Sequence, residues 1–235
     1  MNAQADGTDQ RWYGRRTGRK LTTARQRLMT ELLPRLRLDP NANLGDAAAL
    51  FPSPVDDLWM EIGFGAGEHL VAKAARYPNI GFIGCEPYVN GVATLLVKIN
   101  DQALTNIRIY DDDVRQLMPV MPTACLGQLY VLFSDPWPKV RHHGRRITVE
   151  SNLDGFARLL RPGAEFRFAT DQTEFAAWTL ERMLRDRRFT WVARRADDWR
   201  LAPEGWVETR YEQKAQARGL KTVYLNFLRT DVDSP

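Results

Sequence analysis

The chain reads as an α/β domain built on a mostly parallel sheet with helices on both faces and preceded by a basic arm. Three observations predict it. Short apolar runs of strand length recur through the middle of the chain, each followed by an amphipathic stretch of helix length. The runs are apolar almost throughout rather than alternating, as strands buried on both faces are. Each run also ends in an acid, at Glu61, Glu86, Asp113, Asp135 and Asp171, and ligands of open α/β sheets bind beyond the strands' carboxyl ends.

Taken in order, residues 1–20 are polar with Gly7, Gly14, Gly18 and scattered arginines, and predict a flexible arm. A helix follows, with Thr22 or Thr23 near its cap and Leu28, Leu32 and Leu33 on one face. Pro40, Gly45, Pro52 and Pro54 make 38–54 linker-like. The expected division is therefore 1–50 as arm, helix and linker, and 51–235 as the main domain. Within it, "DLWMEIG" reads as a strand and "HLVAKAARYP" as a helix. "IGFIGCEP", "NIRIYDDD", "GQLYVLFSDP" and "EFRFATD" read as further strands. The helices between and after them are "NGVATLLVKINDQAL", "TVESNLDGFARLLRPG" and "EFAAWTLERMLRD", with "FTWVARR" and "KTVYLNFLR" as late strands.

Composition removes several classes. A hydrophobic content of 44 % over 235 residues argues against general disorder. Runs such as "GVATLLV" are far too short to span a bilayer, and "MNAQADGTDQ" has no secretory apolar core. Cys85 and Cys125, without CxxC spacing, read as reduced thiols of a cytoplasmic protein. His69, His142 and His143 have no metal-ligand spacing, so no metal is expected. The net charge is only +4, yet residues 11–37 hold nine Lys/Arg against the single acid Glu31. Lys139, Arg141, Arg145 and Arg146 form a second cluster. Such patches suit a polyphosphate partner or are simply solvated faces.

The turn "EIGFGAGEHL" places Gly63, Gly65 and Gly67 between a strand and a helix. Glycine tolerates positive φ and lets a ligand approach the main chain; a plain tight turn is the alternative. The spacing is not the dinucleotide G-x-G-x-x-G, and Glu61 beside it would repel a phosphate but suit a cation. Glu86, nineteen residues after Gly67, stands where a carboxylate accepts from ribose hydroxyls. Asp113 is placed to meet an adenine amino group or to cap the helix "VRQLM". Together these residues describe a nucleoside with a positive substituent and no pyrophosphate, which S-adenosylmethionine fits better than NAD.

In "SDPWPKVRHHGRR" the prolines Pro136 and Pro138 stiffen the loop after the fourth strand. Such a loop aims Asp135 and Trp137 at a fixed point, where a base could meet a stacking surface and an acceptor. The following bases would hold phosphates. Asp171 reads either as a contact to the base or as an N-cap of the next helix. In "TRYEQKAQARG", Arg210, Lys214 and Arg218 beside Tyr211 suit RNA, although Arg210 and Glu212 could pair at the surface.

The segments "EIGFGAGEHL", "SDPWPKVRHHGRR", "FATDQTEF" and "ETRYEQKAQARG" together resemble the bacterial tRNA (guanine-N7-)-methyltransferase family. The resemblance implies a Rossmann-like class I S-adenosylmethionine-dependent methyltransferase fold with an antiparallel C-terminal strand. It also implies methylation of guanine 46 in the tRNA variable loop. By the same resemblance, Glu61, Glu86, Asp113 and Asp135 with the three glycines bind S-adenosylmethionine, and Asp135 is the catalytic residue. Lys139, Arg145, Asp171, Thr209, Arg210, Tyr211 and Glu212 would face tRNA. No membrane and no obligatory protein partner are expected.

Three expectations follow. Guanine N7 carries no proton, so methyl transfer needs alignment rather than a general base. Asp135 either accepts from the base's N1–H edge or orients the donor's amine. Removing residues 1–20 should weaken tRNA binding while leaving donor binding nearly unchanged. The rival readings are a methyltransferase acting on small molecules or proteins, a non-catalytic RNA-binding module and an NAD-dependent oxidoreductase.

Overall fold

The computed structural model describes residues 14–45 and 48–232. Two short helices, α1 (Thr23–Glu31) and α2 (Leu33–Leu36), precede β1 (Asp57–Ile62) and α3 (Glu68–Arg76). The chain continues through β2 (Ile80–Cys85), α4 (Val89–Gln102), β3 (Ile107–Tyr110), α5 (Val114–Leu117) and β4 (Leu126–Leu132). Then come α6 (Glu150–Leu159), β5 (Leu160–Thr170), α7 (Thr173–Arg185) and β6 (Phe189–Trp191). Last are α8 (Asp197–Arg200), α9 (Arg210–Gln216) and β7 (Val223–Arg229).

The strands form one sheet in the order β3-β2-β1-β4-β5-β7-β6. β1 to β5 are parallel, and β7 runs antiparallel between β5 and β6. This is the expected architecture. The order reverses between β1 and β4, and at such a switch the flanking loops splay apart and leave a crevice.

Each face is sealed by its own core. Leu33, Leu36, Leu70, Val71, Val92 and Leu96 from α2–α4 cover one side of β2 and β3. Val114, Leu117, Leu153, Phe156, Phe175 and Met183 cover the other side with β1, β4 and β5. Each such buried side chain contributes roughly 1.5–3 kcal/mol over exposure. Leu38, Leu44 and Phe51 of the linker-like stretch join this second core. Leu38 N donates to Ile109 O at 2.8 Å, extending the β3 edge.

Two element boundaries differ from expectation. The helix predicted through Gly163 stops at Leu159, and β5 begins at Leu160. Pro162 disfavours helical backbone at Arg161, and Gly163 turns at φ 79°. Arg161, thus extended, donates to Asp57 at 2.8 Å. The strand "FTWVARR" shortens to Phe189–Trp191, beyond which Arg194 N and Arg195 N donate to Asp198 instead. No helix among the described residues is long and apolar enough to cross a membrane.

Candidate active site

A cavity of about 460 Å³ opens at the switch, where the carboxyl ends of β1, β2, β3 and β4 converge. Its walls are the glycine turn at Gly63 and Gly65, Glu86–Tyr88 after β2, and Asp112–Arg115 after β3. Phe133–Asp135 and Trp137 after β4, with Arg145, close the far side. Gly14 and Arg15 of the arm and Arg210 and Tyr211 of α9 complete the rim.

The glycine turn is held in the left-handed region at Gly63 (φ 74°), Gly65 (φ 58°) and Gly67 (φ 73°). Gly65 also lies against another element: a Cβ there would sit 3.0 Å from the Tyr211 ring. Its amide donates to Glu86 Oε2 at 2.8 Å, and Tyr88 N donates to Oε1 at 2.9 Å. Each Glu86 oxygen therefore keeps a lone pair for a further donor, as a vicinal diol would require. Burial pushes the Glu86 carboxyl up despite those two amides, and Asp135 and Glu61 add to the rise by repulsion.

Asp113 fulfils the capping reading and also lines the cavity. It caps α5 by accepting from Arg115 N at 3.1 Å, and its carboxylate also takes the Arg115 guanidinium at 2.9 Å. Its neighbours are committed elsewhere: Asp112 to Arg16 at 2.5 Å and Asp111 to Arg37 at 2.6 Å.

Asp135 lies between two strained residues, Phe133 at φ 52° and Trp137 at φ 44°. Left-handed conformations in bulky side chains cost on the order of 1–3 kcal/mol each and persist only where the surroundings enforce them. The Asp135 carboxyl is raised by partial desolvation in the cavity wall. Arg145 lies over the Trp137 ring at 5.1 Å, so a cation and an aromatic face share the cavity mouth.

Not every predicted residue reaches the cavity. Glu61 is 4 % exposed and accepts or shares a proton with His69 Nδ1 at 2.7 Å, one layer behind the wall. Gly67 caps α3 and packs towards Leu95, also off the wall. Lys139 is exposed just outside the mouth. Asp171 follows β5 half-buried on the same sheet edge, and the N-cap of α7 is Gln172, not Asp171.

The α9 segment divides. Arg210 and Tyr211 face the cavity, with the guanidinium 5.1 Å from its neighbour's ring. Thr209 is buried and caps α9 by accepting from Glu212 N at 3.2 Å. Glu212, 1 % exposed, accepts from Trp206 Nε1 at 2.7 Å and from the Tyr224 hydroxyl. The alternative of an Arg210–Glu212 surface pair is thus not realised: the Glu212 carboxylate turns inward to the Trp206 and Tyr224 donors.

The arm corrects another expectation. Val89 N donates to Arg16 O at 2.9 Å, Gly18 N to Asn90 Oδ1 at 2.7 Å, and Asn90 Nδ2 to Arg19 O at 2.7 Å. Arg16, Gly18 and Arg19 are therefore laced to the start of α4, and Gly14 and Arg15 before them line the cavity, so removal of this stretch cannot be neutral to its wall. Residues 1–13 of the predicted arm, including Arg11, lie outside the described residues. Sequence reasoning also missed Tyr88 and Asn90, and it grouped Arg146 with the phosphate-binding bases although the fold buries it.

The residues present suit S-adenosylmethionine. Glu86 offers paired acceptors, the Gly63 and Gly65 backbone leaves room for close approach, and Glu86 and Asp135 supply negative charge for a sulfonium and an ammonium group. Among the described residues no group of His, Cys, Asp or Glu is arranged to hold a metal ion.

The methyltransferase family model Methyltransf_4 matches residues 56–225. The tRNA (guanine-N(7)-)-methyltransferase of Rhodospirillum rubrum is 50 % identical over 226 residues, covering 94 % of this chain and 88 % of that protein. That of Brucella melitensis is 44 % identical over 219 residues, covering 93 % and 94 %. Among solved structures, a variant of the 16S rRNA (adenine(1408)-N(1))-methyltransferase from Catenulisporales acidiphilia with cosubstrate SAM superposes with TM-score 0.58 at 16 % identity, covering 84 % of this chain and 94 % of that one. The 16S rRNA methyltransferase KamB gives 0.56 at 19 % identity, covering 75 % and 89 %. These two structures share the fold; the close sequence relatives share far more of the residues. The chain belongs to the tRNA (guanine-N(7)-)-methyltransferase family.

Proposed function

We propose that this cytoplasmic enzyme transfers a methyl group from S-adenosyl-L-methionine to N7 of guanine 46 in the tRNA variable loop. The observation that carries the reading is the convergence on one cavity of a donor-type wall and a base-type mouth. The glycine turn, Glu86 and Asp113 form the first; Asp135, Trp137, Arg145, Arg210 and Tyr211 form the second.

Bound at the first wall, the donor supplies an electrophilic methyl on a sulfonium. Glu86 accepts from the ribose hydroxyls while its two backbone amides hold it in place. Asp113, fixed by Arg115, presents its remaining acceptor capacity to the adenine amine. N7 is an in-plane acceptor on the major-groove edge, so nothing must remove a proton from it. The protein's work is alignment, for which well-placed reactants can gain on the order of 7–11 kcal/mol. Trp137 stacks the base, while Arg145, Arg210 and Lys139 take flanking phosphates and offset the roughly few kcal/mol needed to unstack it. Tyr211 bears on Gly65, and Thr209 and Glu212 hold α9 so that it can. Asp171 joins the tRNA face at the β5 end.

In this reading Asp135 lies where base and donor meet. Asp135→Asn separates its two possible duties: loss of kcat with donor Kd held assigns it to the base, and loss of both assigns it to the donor's amine. The reading itself is tested by incubating the protein with labelled donor and unmodified tRNA, then cleaving at N7-methylguanine. Label at one variable-loop guanine is expected. Unlabelled tRNA at saturating donor refutes the reading.

A further inference from the structure

Arg146 is the largest side chain that the fold buries completely, at 0 % exposure, and it carries a charge. Its neighbour Arg145 faces the cavity; Arg146 turns inward. A buried guanidinium needs partners for its five N–H groups, and those it has are specific. Nε donates to Pro136 O at 2.8 Å, and Nη2 reaches Trp137 O at 3.5 Å. Nη1 donates to Glu174 Oε1 at 3.1 Å, with a second bond from Nη2 to the other oxygen. The guanidinium plane also lies 4.8 Å from the Trp178 ring centre and 5.0 Å from that of Phe175. One cation therefore joins the carbonyls of the proline-flanked loop to the first turns of α7.

Those carbonyls belong to the peptides on either side of Trp137, the residue held at φ 44°. A strained aromatic at a cavity mouth relaxes unless something outside the loop fixes the backbone. The prolines fix their own φ but give no anchor to the rest of the fold. We propose that Arg146 is a positioning residue for methyl transfer. By gripping the Pro136 and Trp137 carbonyls from inside, it holds Asp135 and Trp137 in register with the donor cavity, rather than contacting RNA as the basic cluster around it would suggest. This rests on the reading of that loop as the one that presents the base.

The test compares Arg146→Lys with Glu174→Gln in the full chain. A lysine ammonium lacks the planar fork and cannot serve the carbonyls and both Glu174 oxygens together. Glu174→Gln keeps the loop contacts and weakens only the ion pair, so it controls for lost stability. Both are assayed well below their melting temperatures for donor Kd, tRNA KM and kcat. A misplacement of about 1 Å costs about 100-fold in rate. Arg146→Lys is therefore expected to lower kcat by about that factor with donor Kd held, while Glu174→Gln keeps kcat within about twofold.

A second readout needs no turnover: ¹⁹F spectra of protein labelled with 5-fluorotryptophan, the Trp137 line assigned by its loss in Trp137→Phe. One line in the parent chain should split or shift in Arg146→Lys and stay in place in Glu174→Gln. An unchanged Trp137 line in Arg146→Lys, or a kcat loss that Glu174→Gln reproduces in full, overturns the proposal. If the parent chain shows no tRNA methylation while the line still moves, the functional reading fails and the anchoring role stands.

Discussion

Gly91 tests how tightly the donor wall is built. It lies in the first turn of α4, and a Cβ on it would stand 2.3 Å from the Gly65 carbonyl oxygen and 3.3 Å from Glu86 Cγ. The nearest obstacle is backbone, which cannot rotate away. Gly91→Ala must therefore displace the glycine turn or α4 by about 0.7 Å merely to reach a 3.0 Å contact. Such overpacking costs about 1–3 kcal/mol, while alanine's better helix propensity returns about 1 kcal/mol. The net stability loss should thus be small, roughly 0–2 kcal/mol.

Donor binding should lose more, because the displaced segment carries the Gly65 amide that holds Glu86. Forfeiting that charge-assisted bond and, with it, the ribose contact proposed for Glu86 costs about 1.5–3 kcal/mol, or roughly 10–150-fold in Kd. Calorimetric titration with S-adenosylmethionine, alongside a thermal melt, separates the two effects. If Gly91→Ala binds donor as tightly as the parent chain with an unchanged melt, the glycine turn is not the rigid wall described here.

Three further outcomes are expected. Glu86 and Asp135 hold their protons more tightly in the fold than free carboxyls do, so ionising them opposes folding of the empty protein above their raised pKa values. Empty-site stability should rise as pH falls through that raised range towards the ordinary carboxyl values and then level off; donor affinity should fall over the same range, with proton release on binding seen as buffer-dependent heats. Deleting residues 1–20 should weaken both donor and tRNA binding, because Gly14 and Arg15 belong to the cavity wall; donor Kd by calorimetry and tRNA Kd by filter binding decide it. Thr209→Ala should lower stability by about 0.5–2 kcal/mol through the lost cap of α9, read as a lower denaturation midpoint with unchanged m-value.

Much of the fold was legible because it depends on local pattern. Continuous apolar runs marked β1 to β5, and a terminal acid or glycine marked the site edge, so Gly63, Gly65, Glu86, Asp113 and Asp135 could be named before any geometry. What sequence left obscure depends on direction. Arg145 and Arg146 are the same residue type in adjacent positions, yet one meets solvent and the other the core. Thr209-Arg210-Tyr211-Glu212 splits likewise, its middle pair on the cavity and its ends buried, with Glu212 held by Trp206 and Tyr224, partners whose approach no spacing rule foretells. The arm's lacing to Asn90 is equally long-range, since it joins residues some seventy positions apart.

The triplet Asp111, Asp112 and Asp113 sends each carboxylate to a different arginine: one from the linker side, one from the arm and one from the neighbouring helix. The Asp111 and Asp112 pairs, near solvent, are worth at most about 1 kcal/mol each and weaken as counterions accumulate. Added electrolyte will therefore slacken the rim of the enzyme's own pocket while it loosens the grip on nucleic acid. A log–log plot of tRNA affinity against salt will read steeper than the number of phosphates touched, and the excess slope should shrink when Asp112 is made neutral.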